Sequence, residues 1–373
     1  MTAPFTMAAE REALRDTVRK FLRKEHLPAV LRRLIEEDAG FDPDIWQRGC
    51  SDLGLAAMTL PATHDGLGLG LAELAIVMEE MGQSLVMLPY LSSAVLGSGA
   101  LEFTEDEAAI ARLMPAIAAG CRVALAAPLD RSPLGVTALP NGSGWKLSGK
   151  AELVLDGATC QLLLVAADTL AGPSLFEVEI DAPGLGRASL QTLDLTRRLA
   201  TIDLLDVPAM LIGAPGQAGA VLDKTFDRAL VALAAEQLGG ARACLEMSVD
   251  YARTRFQFGR QIGSFQAIKH KCADMLVSVE AAAAALAYAL EDEGAPARAS
   301  LAKAICSEAF DSCATHNIQI HGGIGFTWEH DAHLYFRRAK ASRALFGDPA
   351  FHRERYAQFE FAGARAHDLE TAE

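Results

Sequence analysis

The stretch Tyr251–His270, YARTRFQFGRQIGSFQAIKH, taken with Gln319–Phe326, QIHGGIGF, decides how this chain is understood. Arg255 and Phe258, three apart, stand where a long apolar-striped helix closes, and Gly259 follows at once. A second helix is expected to open near Ser264, so cation, ring and turn meet in one place. A permanently charged, forked guanidinium suits pyrophosphate oxygens, and glycines such as Gly322 and Gly323 let backbone N–H groups approach phosphate closely. Singly, Arg255 also reads as a solvated helix-end cation and Gly322–Gly323 as a helix C-cap. Together and in this order they point to a phosphate-bearing ligand.

Outward from this stretch, periodicity sorts the chain into three segments. From about Glu10 to Ala119 the spacing is helical, with Leu14, Val18, Phe21 and Leu22 on one face. Pro43 and Trp46 open another helix that ends before Gly54. Leu60–Gly70 (LPATHDGLGLG) is a glycine-punctuated loop, and Leu71–Gly82 resumes helical spacing with Glu79–Glu80 near its end. Around Cys121–Val123 the pattern turns alternating and apolar. Val123–Ala127, Gly144–Ser148, Ala151–Leu155, Gln161–Ala167, Ser174–Ile180 and Leu199–Val207 read as strands parted by Pro, Gly and Asn-Gly turns. Such runs without intervening helices imply a small antiparallel β-domain.

Beyond a hinge at Gly213–Gly219 the helical period returns. Leu230, Leu233, Leu238, Ala241, Leu245 and Val249 form one stripe, and Ile268, Cys272, Met275, Val279, Ala282 and Leu286 a second. With Leu301–Asn317 and Ala332–Phe346 these make a four-helix bundle, and His367–Glu373 is expected to fray. The fold class is therefore α+β. Its segments are an N-terminal helical domain (1–119), a central antiparallel β-domain (120–213) and a C-terminal four-helix bundle (214–373).

Composition narrows the function. A formal net charge of −14 on 373 residues, with no basic stripe, argues against a nucleic-acid binder, which holds phosphates with clustered Lys and Arg. The first residues lack an apolar core with a cleavage site, so no secretory signal is expected. Apolar runs such as Val279–Leu290 are Ala-rich and too short to span a bilayer, so membrane insertion is not expected. The 7 cysteines are scattered without a CxxC pair. They read as reduced thiols of a cytoplasmic protein, with neither a disulfide framework nor a metal site.

At Arg255–Gly259 (RFQFG) and Gln319–Gly323 (QIHGG) the sequence resembles the acyl-CoA dehydrogenase family, whose members carry RxxFG, a following Gln and QxxGG. The resemblance covers nearly the whole chain and includes the EExG helix end at Glu79–Gly82. It implies FAD as cofactor, with Arg255, Phe258, Gln266, Gln319, Gly322 and Gly323 reaching across a two-fold interface to the ADP half of a neighbour's FAD. It also implies an acyl-CoA substrate, electron-transfer flavoprotein as acceptor, and a homo- or hetero-tetramer built as a dimer of dimers.

Two departures from the family pattern bear on chemistry. Removal of an acidic α-proton needs a carboxylate, usually the Glu of a YEGT-like segment after an RDAK-like helix. Here Arg337–Lys340 (RRAK) fits the helix, but Phe346 occupies the Glu position. An alternative site early in the bundle's first helix carries Ala229; Asp227 lies two residues out of register, and Glu236 two turns on, about 10 Å along the axis. The family's TEPxxGSD and WITNG segments, which meet the flavin ring, correspond to Ala126–Ser132 and Leu153–Gly157. Leu155 replaces a Thr hydroxyl, forgoing a hydrogen bond worth about 1 kcal/mol.

The half-site offered to a partner is thus intact while the chain's own ring pocket and base are eroded. That asymmetry implies a heteromeric enzyme whose second acyl-CoA dehydrogenase chain supplies the Glu, as in two-chain enzymes of sterol side-chain degradation, a branch that Trp328–Asp331 also resembles. Two further classes stay open: a homomeric dehydrogenase using Glu236 or Asp227, and a flavin-dependent monooxygenase or non-catalytic relative of the same fold.

Overall fold

The computed structural model describes residues 4–142 and 144–370, with side chains from 7 to 361. Helices come first, strands next, then helices again. Compactness groups these elements into two units, where three segments were expected. One contains the residues up to Leu74 with Met87–Ala229; the other contains Ala75–Val86 with the residues from Leu230 on.

In the first unit, helices α1 (Pro4–Glu25), α2 (Pro28–Glu36), α3 (Pro43–Leu53), α4 (Leu71–Gln83, as far as Leu74), α5 (Ser98–Glu102) and α6 (Glu107–Ala118) precede the sheet, with a π-helical segment at Leu91–Gly97. Their ends are capped locally. Asp42 accepts from the amides of Asp44 and Ile45 at 3.0 and 3.2 Å, and Gly54 ends α3 in the left-handed region. At the end of α2 Arg198 Nη2 donates to the carbonyls of Leu34, Ile35 and Glu37, which a helix C-terminus leaves without partners.

Seven strands follow: β1 (Val123–Ala126), β2 (Val136–Asn141), β3 (Gly144–Leu155), β4 (Leu162–Thr169), β5 (Gly172–Val178), β6 (Leu185–Ser189) and β7 (Leu199–Ile212). They run in the order β1-β4-β2-β3-β7-β5, with β6 on β7 and a further pairing of β5 back to β4. The closure pairs β4, β2, β3, β7 and β5 into a ring, leaves β1 and β6 each on a single partner, and encloses Val136, Leu147, Leu163, Val165, Phe176 and Ile202. Pairing is mostly antiparallel, and β1 joins β4 in parallel.

Two strands escaped the sequence reading. β2 carries Pro140 and alternates only weakly, and β6 is half exposed. The runs expected at Gly144–Ser148 and Ala151–Leu155 are one strand whose register shifts at Leu147/Gly149 and Ala151/Val154, because bulges break alternation without ending the strand.

The second unit holds the remainder of α4, the part of α7 (Ala218–Thr254) from Leu230 on, α8 (Gln266–Leu290), α9 (Pro296–His321), α10 (Ala332–Ala344) and α11 (Pro349–Glu370). α9 is central and packs on α8, α10 and α11. The helix expected over Ala332–Phe346 stops at Ala344, since Phe346 and Gly347 take positive φ of 60° and 103° and turn the chain into α11. Of the tail expected to fray, α11 reaches Glu370 and 371–373 lie outside the described residues.

The apolar run at Val279–Leu290 belongs to a helix of 25 residues, long and apolar enough by length and composition to cross a bilayer. That corrects the expectation from run length. Met275, Val279, Ala282 and Leu286 of this helix are buried within the unit.

α4 and α7 cross at backbone contact. A Cβ on Gly82 would sit 2.0 Å from the Glu236 carbonyl oxygen, and one on Gly239 would sit 1.9 Å from that of Glu79. Backbone cannot yield as a flexible side chain can. Gly239→Ala is therefore expected to cost at least about 3 kcal/mol, beyond ordinary overpacking, as read by chemical denaturation. Gly219→Ala, in the same helix with nothing near its Cβ position and no positive φ, serves as the control for the loss of glycine alone.

Candidate dinucleotide site

α7 ends at Thr254, so Arg255 and Phe258 lie beyond the helix they were expected to close. Phe256–Gln257 pair with Arg260–Gln261 in a two-residue hairpin, and α8 opens at Gln266 after a short 3-10 turn at Ile262–Ser264. The hairpin needs positive φ at both central residues, and Phe258 (54°) and Gly259 (78°) supply it. A left-handed non-glycine residue costs on the order of 1 kcal/mol. The turn presents the Phe258 ring to solvent, 89% exposed and edge-on to the Phe265 ring. Arg260 lies over the Phe265 ring at 4.1 Å, bracing the arm from the other strand.

The two motifs are brought together by a buried polar framework. Ser248 Oγ on α7 donates to Asn317 Oδ1 on α9 at 2.9 Å, and His321 Nδ1 donates to the Asn317 carbonyl at 2.9 Å. The His321 ring stacks on Tyr251 with centroids 4.2 Å apart and meets His330 at 4.3 Å. Burial pushes the His321 imidazole below its usual value, and the neighbouring His330 adds to this. None of these framework residues stands out in the sequence for a role. The i, i+4 pair Asn317 and His321 just before Gly322 was the available signal.

From this base Arg255, Phe258, Gln266, Gln319, Gly322 and Gly323 all face solvent. Among the described residues no carboxylate pairs with Arg255, and no atom lies within 4 Å of a Cβ built on Gly322 or Gly323. A guanidinium, two primary amides, bare backbone and an aromatic face suit the pyrophosphate and adenine of a dinucleotide. This chemistry fits the ADP half of FAD.

The segments expected at the flavin ring lie in the first unit and offer less. Ala126, Ala127, Leu129, Val154 and Leu155 are buried side chains without donors. Asp156, at φ 52°, accepts from Ser92 Oγ at 2.6 Å. Arg131 is bound to Asp223 and Asp227. The side chains at these positions do not fit the ring edge.

The candidate bases are both engaged. Glu236 Oε1 is 2.8 Å from Arg338 Nη1, with both side chains buried, and Asp227 Oδ1 is 3.0 Å from Arg131 Nη2. Phe346 is a fully buried ring. Removing one partner of a buried pair strands the other charge. Glu236→Gln is expected to lower stability by about 3 kcal/mol, measured by denaturant unfolding, and the double change with Arg338→Met to recover most of that loss.

Family models identify this architecture. The acyl-CoA dehydrogenase N-terminal domain matches residues 8–121 and the acyl-CoA dehydrogenase C-terminal domain matches residues 218–360. The chain is 35% identical over 346 residues to acyl-CoA dehydrogenase IpdE2 of Mycobacterium tuberculosis, covering 92% of this chain and 95% of that one. Among solved structures it is similar to the Tcur3481-Tcur3483 steroid ACAD G363A variant (TM-score 0.86, 30% identity, 96% and 99% of the two chains covered). It is also similar to the ChsE4-ChsE5 complex from Mycobacterium tuberculosis (TM-score 0.85, 26% identity, 96% and 97% covered). With both terminal domains matched and a relative at this identity over nearly its full length, the chain belongs to the acyl-CoA dehydrogenase family of FAD-dependent oxidoreductases.

Proposed function

We propose that this chain is one subunit of a two-chain acyl-CoA dehydrogenase, in which a second chain of the same family supplies the carboxylate that takes the α-proton of an acyl-CoA. The observation that carries the reading is the state of this chain's own carboxylates. Glu236 is held by Arg338 at 2.8 Å and Asp227 by Arg131 at 3.0 Å, while Phe346 stands where the resemblance calls for Glu. A general base needs an ionised oxygen with a free lone pair within hydrogen-bond reach of the proton. A guanidinium against the oxygen stabilises the charged form and weakens it as a base.

In this reading Arg255 holds pyrophosphate oxygens, Gln266 and Gln319 donate or accept at the adenosine end, and the Gly322–Gly323 backbone lies against phosphate. When bound, FAD supplies the hydride acceptor for the β-carbon, and electron-transfer flavoprotein takes the electrons onward. Exposed apolar side chains of the second unit, Phe256, Phe258, Val277, Phe326 and Trp328, are covered by neighbouring subunits of a tetramer. The names of the Tcur3481-Tcur3483 and ChsE4-ChsE5 structures, each pairing two chains, support a heteromer, and the word steroid in the former supports a polycyclic acyl chain.

Co-expression with a Glu-bearing acyl-CoA dehydrogenase chain of the same genome, followed by flavin counting, tests the reading. A complex with one FAD for each pair of chains is expected. A pure homomer of this chain that holds one FAD per protomer and dehydrogenates acyl-CoA would overturn it. Arg255→Ala is expected to weaken flavin retention by about tenfold, the worth of a charge-assisted hydrogen bond. Its solvent-facing guanidinium leaves apoprotein stability within about 0.5 kcal/mol. Equal flavin content in variant and native complexes would count against the assignment.

A further inference from the structure

We infer that Lys303 is a positioning residue whose ammonium, sealed in the core of the second unit, holds the Leu345–Gly347 turn in a proton-dependent way. Lys303 is 0% exposed. Its Nζ donates to Ser307 Oγ at 2.8 Å, to the Arg343 carbonyl at 3.1 Å and to the Gly347 carbonyl at 3.3 Å. An ammonium has three N–H donors, and here each has an acceptor. None of those acceptors is a carboxylate, so every hydrogen bond to the charge comes from a dipole, two of them carbonyls at the negative end of α10 and in the turn beyond, and Asp348 acts on it only through its field.

The acceptor side is committed elsewhere, which fixes the direction of every bond. Ser307 Oγ donates to Gln237 Oε1 at 3.1 Å, and Gln237 Nε2 donates to the Ser342 carbonyl at 3.1 Å. Lys303, Ser307, Gln237 and Ser342 therefore form one buried chain through α9, α7 and α10. On the far side of the turn, His352 Nε2 of α11 donates to the Phe346 carbonyl at 2.9 Å. The turn is held from both sides in the left-handed conformation that Phe346 and Gly347 would otherwise leave.

Loss of the proton to water leaves an amine with two donors and a lone pair. With Ser307 already donating to Gln237, it cannot donate to the lone pair, so one of the three acceptors loses its donor, and the longest bond, to the Gly347 carbonyl, is the one that yields. Burial pushes the Lys303 ammonium down to about 7, so the change falls within the physiological range. The titratable and charged groups around it are Cys306 on α9, Arg343 on α10, Asp348 after the turn and His352 on α11. Arg343 is itself paired with Asp311, Cys306 feels Glu79, and the Glu236–Arg338 pair adjoins Gln237 along α7.

The sign of the linkage is definite. An unfolded lysine keeps its proton to about pH 10.4. Between about pH 7 and that value the unfolded state binds one proton more than the native state, so Lys303 makes stability rise with pH across this window. The ratio of the unfolding constants of Lys303→Met and the native protein is therefore expected to rise about tenfold per pH unit between pH 7 and 10. Amide protection at 345–348, corrected for intrinsic exchange, is expected to fall several-fold in the native protein as pH is raised through this point. In Lys303→Met it is expected to be low and independent of pH. Carbon-13 labelling of the lysine Cε in the native full-length protein provides a measurement that needs no variant, and one resonance is expected to titrate about three units below the others. Parallel stability profiles for the two proteins, unchanging protection of the turn, or lysine signals that all titrate above about pH 9.5 would each overturn the assignment.

Discussion

The site hangs on one buried amide. Asn317 takes a hydrogen bond from Ser248 on α7 through its side chain, and its carbonyl takes one from His321, whose ring lies on Tyr251. Helices joined only by apolar contacts can slide by a fraction of a turn at little cost, whereas a desolvated amide left unpaired costs on the order of 1–3 kcal/mol. The pairing fixes the end of α7 against the end of α9. Arg255 and Phe258 leave from the first, Gly322 and Gly323 from the second. Their relation to one another is inherited from Asn317 and from the stack of His321 on Tyr251.

Charge is divided the same way throughout the molecule. Arg255 stands in solvent, and among the described residues no carboxylate pairs with it. Arg338 and Arg131 are instead consumed by Glu236 and Asp227. The chain leaves Arg255 and the Gly322–Gly323 backbone exposed and ties Glu236 and Asp227 to arginines. Self-sufficient acid–base catalysis would demand the opposite arrangement, and that contrast supports the proposed heteromer alongside the Phe at position 346.

The turn at that position has a physical identity of its own. Phe346 is a buried ring on a left-handed backbone, a combination that persists only when its surroundings hold it. Lys303 and His352 grip its flanking carbonyls from α9 and α11. A segment whose side chain carries no acid–base function is nevertheless tied down by a buried cation, which ties the electrostatics of the bundle to the backbone beside it.

The order of elements and the helical stripes of α7 and α8 were legible in the sequence, and so was the motif that nominates six solvent-facing residues for cofactor contact. Each depends on local spacing: a period near 3.6, a glycine after an aromatic residue, an arginine three residues earlier. What could not be read depended on partners far along the chain. The strands β2 and β6 are weakly patterned and exist because β3 and β7 pair with them. The hairpin at Phe256–Gln261 was hidden because a phenylalanine at positive φ has no propensity to announce it. Whether Glu236 was a free base or half of an ion pair lay 102 residues away, at Arg338. Residue type and spacing determine which groups a segment can present; only the tertiary structure decides which of them are already spoken for, because desolvated charges and amides are satisfied by whatever the fold brings within 3 Å or so.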